Sequence, residues 1–81
     1  MNSEIFNEIV KVIAPFAKNQ EMLKSVTSAT NIHKDLQVNS TRFVDIVLLM
    51  EDKFELQISD DDADKIQTVG DCVSLIERLK K

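Results

Sequence analysis

Apolar residues recur along this chain at intervals of three and four, the spacing of helices with one buried face. Phe6, Ile9, Val10, Ile13, Phe16 and Ala17 make the first stripe, with Glu8, Lys11 and Lys18 off it. Ser3 is placed to cap the start, and Glu4 suits the positive end of the helix dipole. Pro15 lacks an N–H and crowds the carbonyl of Lys11, so a helix over roughly residues 3–18 should kink or end early near Ala14. Val44, Val47, Met50 and Phe54 make a second inward stripe, widened on one side by Ile46 and Leu49. That stripe predicts a helix over Ser40–Glu55 capped by Asn39, with Leu48 nearer its outer face. A short helix capped by Ser59 should follow and end near Ile66, with Asp60, Asp61 and Asp62 in its first turn, where the dipole favours anions. In the last helix Thr68 is the cap, and Asp71 three residues on comes close to a capping box. Val69, Cys72, Val73, Ile76 and Leu79 form its apolar face, and Lys80 and Lys81 lie at its negative end.

Residues 19–39 form a long connection rich in Ser, Thr and Asn. Structureless loops of that length are uncommon unless they work or are anchored. Leu23, Val26, Ile32, Leu36 and Val38 supply anchors, and Glu21–Ser25 is placed to form a short helical turn. A crossover of this length lets the helices on either side run roughly parallel instead of as a tight hairpin. The expected fold is all-α: a small four-helix bundle of three main helices and one short one, with a long loop between the first two. At 81 residues, one domain over 1–81 is the sensible count.

Composition fits that picture. Hydrophobic residues are 43% and charged residues 30%, which suits an ordered helical domain. One Gly and one Pro are too few for a turn-rich β protein. A single cysteine excludes an internal disulfide and the usual structural zinc sites, and fits a reducing cytoplasm. Met1-Asn2-Ser3-Glu4 lacks the basic segment and apolar run of a secretory signal, and no apolar stretch approaches the ~20 residues that span a bilayer. The net charge of −4 is unevenly spread: residues 35–64 hold nine acids against Arg42 and Lys53. Such a surface repels nucleic acid and attracts a basic protein face.

The chemistry concentrates around Ser40, where the loop hands over to the second helix. A hydroxyl there can carry a covalent group without disturbing a core. Asp45, Glu51 and Asp52 on the polar side of that helix offer a charged surface to a partner, and Leu48 offers an apolar contact. That combination points to a carrier and not to an enzyme. The other chemical readings are weaker. His33, Asp35 and Ser40 are close in sequence, but no Gly-x-Ser-x-Gly elbow is present. Asp60, Asp62 and Asp64 imitate the start of a calcium loop, yet Lys65 stands where Gly is needed and Asp71 where a bidentate Glu is wanted, so no metal is expected. Cys72 falls on an inward face as an inert thiol, and His33 is expected to be solvated.

The chain resembles the acyl carrier protein family over nearly its whole length. Members commonly read Asp-Leu-Gly-x-Asp-Ser-Leu, then an acidic and apolar helix ending in Glu-Glu-x-Phe. Asp35-Leu36, Ser40, Val44, Asp45, Val47, Glu51, Asp52 and Phe54 fit that pattern, and the segment from Ile58 to Asp71, with its acids, Ala63, Lys65-Ile66 and Thr68-Val69-Gly70-Asp71, fits more closely still. The resemblance implies that Ser40 is esterified with 4′-phosphopantetheine by a phosphopantetheinyl transferase. It implies acyl intermediates carried as thioesters on the arm's thiol. Acyl-transfer and synthase enzymes with basic docking surfaces would then read Arg42, Asp45, Leu48, Glu51 and Asp52 on a monomer. Four departures matter: Gln37 replaces the common Gly, Asn39 the usual Asp, Thr41 the usual Leu, and Arg42 an acid or small polar residue. Arg42 either weakens the negative field beside Ser40 or pairs with the arm's phosphate. These changes point to a specialised carrier, in lipid or secondary-metabolite synthesis, with dedicated partners. The alternatives are an unmodified helical interaction module with the same fold, and an aminoacyl or peptidyl carrier.

Overall fold

Four helices organise the computed structural model, which describes residues 3–80. They are α1 (Ser3–Ile13), α2 (Ser40–Phe54), α3 (Asp60–Asp64) and α4 (Val69–Leu79). Lys81, expected beside the end of α4, lies outside the described residues. Pro15 acts as its chemistry requires: α1 stops at Ile13, and a single 3-10 turn over Ala14–Phe16 carries the chain onward. Ser3, expected as the cap, already lies within α1.

The core joins Ile5, Ile9 and Ile13 of α1 to Val69, Cys72, Val73, Leu75 and Ile76 of α4, with Ile46 and Met50 entering from α2. Each large aliphatic side chain so buried contributes roughly 1.5–3 kcal/mol. Ile5 and Leu75 extend the two expected faces by one position each. Leu79, Phe6, Val10 and Phe16 pack half-buried at the edges.

α2 is rotated from its expected setting. Phe43, Ile46, Val47 and Met50 are its buried residues, whereas Val44 is 58% and Leu49 45% exposed, alongside Leu48 at 57%. Seven of the eight residues from 43 to 50 are apolar, so they encircle the helix and their spacing cannot choose which side faces inward. The neighbouring elements choose it.

The long connection is anchored as its apolar residues imply. Ile32, Leu36 and Val38 are buried, Leu23 and Val26 half-buried, and Glu21–Ser25 forms a 3-10 turn. The connection is also strapped to the start of α4. The N–H groups of Ile32, Val69 and Gly70 donate to the carbonyls of Gln67, Thr30 and Ser28 at 2.9, 3.0 and 2.9 Å. Only glycine permits the last contact, because a Cβ on residue 70 would lie 2.7 Å from the Ser28 carbonyl oxygen. Thr68 closes the expected capping box: its hydroxyl accepts from the Asp71 N–H at 3.1 Å, and the Asp71 carboxylate accepts from Gln67 and Thr68 N–H groups, each at 3.0 Å. Those two donors hold the Asp71 carboxyl below its ordinary value, Gln67 contributing most.

α3 contrasts with its neighbours. None of its five residues is buried, and it hangs between two buried anchors, Ile58 and Ile66. Ser59 caps it by accepting from the Asp62 N–H at 3.1 Å. A partly exposed ion pair, Arg78–Asp62 at 3.3 Å, ties it to α4.

Candidate functional site

The segment that delivers Ser40 is held by its own polar groups. The Asp35 carboxylate accepts the Asn31 N–H at 2.8 Å, and Asn31 Oδ1 accepts the Lys34 N–H at 2.8 Å. Asn19 braces the far side by donating from Nδ2 to the Asp35 carbonyl at 2.9 Å. The chain then turns at Gln37, whose φ of 56° lies in the left-handed region that favours glycine. This is the position where the family commonly has Gly.

Asn39 caps α2, its Oδ1 accepting from the Thr41 N–H at 2.8 Å. Ser40 follows as the first helical residue. It is exposed, and its hydroxyl takes part in no hydrogen bond with the described residues. The N–H groups of Ser40 and Arg42 have no intrahelical acceptor at this end, so positive partial charge surrounds the hydroxyl. An ester formed here disturbs no packing.

Ser40 opens onto a cleft of about 480 Å³ between α2 and α3. Phe43, Val44, Val47, Ala63 and Ile66 give it an apolar lining, and Asp60 and Asp64 stand on the α3 side. His33 also lines it. This residue, expected to be solvated, is half-buried: its Nδ1 lies 3.2 Å from the Val38 carbonyl oxygen, and its ring meets Phe43 edge-on at 5.0 Å and 66°. No local pattern marked this role, because both contacts reach five or more residues along the chain. The same bonds dissolve any hydrolytic relay, since the Asp35 carboxylate is committed to Asn31 and His33 Nδ1 to Val38.

The other expected site residues spread along the outer side of α2. Arg42 pairs with Asp45 at 3.4 Å, and both are exposed enough for solvent to weaken the pair. Asp52 is exposed beside Leu48. Glu51 is half-buried and points into the fold, where Oε2 accepts the Ile58 N–H at 2.7 Å and holds the segment leading to α3. Val44, read from sequence as core, joins Leu48 on the exposed surface. Cys72 lies on the opposite side of the matter: it is fully buried, and burial first, then the Asp71 charge, pushes its thiol up to about 12.

No helix among the described residues is long and apolar enough to cross a membrane. No protein-family model matches the chain. The acyl carrier protein of Lactobacillus acidophilus is 47% identical over 75 residues, spanning 91% of this chain and 90% of that protein. A solved structure of the acyl carrier protein from Enterococcus faecalis, studied for its high thermal stability, matches with a TM-score of 0.79 at 35% identity, covering 95% of each chain.

Proposed function

The chain belongs to the acyl carrier protein family, and we propose that it bears acyl groups as thioesters on a 4′-phosphopantetheine arm esterified to Ser40. Membership makes it a carrier and not a catalyst. The observation that carries the attachment point is the free, exposed Ser40 hydroxyl at the unpaired N–H groups of α2, beside an apolar cleft. When bound, the arm would supply a thiol that exchanges acyl groups near neutral pH. This chain's own residues would do the rest. Asn39 holds the helix start, Ser40 anchors the ester, and Phe43, Val44, Val47, Ala63 and Ile66 offer an apolar cargo shelter from water.

The partners are a phosphopantetheinyl transferase and acyl-transfer or synthase enzymes with basic docking faces, meeting a cytoplasmic monomer. They would read Asp45, Leu48 and Asp52 directly, and Arg42 and Glu51 through the groups those residues already hold. Steering by such exposed charges weakens with salt. Thr41 and Arg42, beside the attachment point, support a specialised lipid or secondary-metabolite pathway with dedicated enzymes.

Incubation with coenzyme A and a broad-specificity transferase should add the mass of one arm to the intact chain, and Ser40→Ala should abolish the gain. Full modification of Ser40→Ala, or none of the wild type with several transferases, would overturn the assignment; the second result favours an unmodified interaction module. Loading with acyl and aminoacyl substrates then separates the acyl carrier from an aminoacyl or peptidyl one.

A further inference from the structure

We propose that His33 supplies the counter-charge to the phosphate joining the arm to Ser40, an inference that rests on the reading of Ser40 given above. A phosphodiester at Ser40 brings a negative charge to a cleft already lined by Asp60 and Asp64. Arg42, the nearest cation along α2, is exposed and paired with Asp45. Among the residues lining the cleft, His33 alone can become a cation.

The geometry specifies how. A carbonyl oxygen only accepts, so the 3.2 Å contact with Val38 requires the proton on His33 Nδ1. In the neutral ring Nε2 is then a bare lone pair, which repels a phosphate oxygen. The imidazolium alone can donate to Val38 and to an anion together. Phe43 meets the ring edge-on and fixes its plane. Around the ring, Asp60 and Asp64 face the cleft from α3, Arg42 and Asp45 offset one another on α2, and in the loop the Asp35 carboxylate is taken by Asn31 while Lys34 is exposed. Arm attachment and His33 protonation are therefore coupled.

The chain has one histidine, so its titration can be followed without ambiguity. A phosphodiester stays singly ionised near neutrality, and a pH-dependent 31P shift from it reports a neighbour that titrates. Protein verified by mass to carry the arm is followed by 31P NMR from about pH 5 to 8, the range in which histidine changes charge. The 31P resonance should pass through one inflection that coincides with that of the His33 ring signals. His33→Asn keeps a donor at the Nδ1 position but has nothing at Nε2; it should retain the folded amide spectrum and lose the inflection. His33→Gln keeps an uncharged donor near the Nε2 position and should also give a flat response. A flat 31P response in the loaded wild type, or an inflection that survives in folded His33→Asn, overturns the role of His33 and leaves Ser40 as the attachment point. Failure of any arm to attach overturns both.

Discussion

The α1–α4 side and the α2–α3 side of this molecule are built by different rules. Between α1 and α4, apolar residues interlock in a fully buried layer, the capping box closes the start of α4, and backbone bonds strap the long connection across it. Between α2 and α3 there is a cleft, three aliphatic side chains of α2 stand in solvent, and no residue of α3 is fully buried. On the proposed function, a fixed layer would hold Ser40 in place while the more open wall would admit cargo and partners. Local stability is low where binding demands movement and high where position must be kept.

Substitutions on the two sides should separate by size. Ile76→Ala removes a fully buried side chain from α4 and should cost about 3 kcal/mol in urea unfolding. Its counterpart Leu48→Ala, on exposed α2, should change stability by no more than about 0.5 kcal/mol. Equal losses would erase the contrast. Gly70→Ala drives a Cβ against the Ser28 carbonyl and should cost about 2 kcal/mol; a neutral result would mean the strap yields freely. Asp71→Asn should cost about 0.5 kcal/mol at neutral pH through the weakened cap. The sign follows from its depressed carboxyl: the contribution is complete above the ordinary value of 3.8 and disappears as pH falls through the folded value, so wild type and variant should converge in acid. Gln37→Gly relieves the left-handed turn leading to Ser40 and should gain roughly 0.5 kcal/mol, seen as a small rise in Tm.

Sequence and structure agree most closely where a local rule decides. Pro15 ended α1, Asn39, Ser59 and Thr68 capped their helices, and the run of acids marked α3. Each depends on residues within a turn of one another. The errors lie where distant neighbours decide. The apolar residues of α2 do not fix its rotation: their spacing points Val44 and Leu49 inward, whereas the fold exposes both and buries Phe43. His33 looked solvated because Val38 and Phe43 meet it only after the loop has folded. Glu51 read as pure surface, although the Ile58 N–H returns from beyond the helix end to meet it. The position of Ser40 was legible from the loop-to-helix handover and the motif around it; the cleft beside it was not, since its two walls come from segments some twenty residues apart.

Cys72, sealed on the inward face of α4, would suit the thioester carrier proposed above. On that proposal its sulfur would offer acyl groups no rival resting place, and cargo would not leak sideways into a dead-end adduct on the protein's own side chain. In the folded state a maleimide or alkylating tag would likewise ignore it, and under the proposed modification any label taken up would count swinging arms one for one.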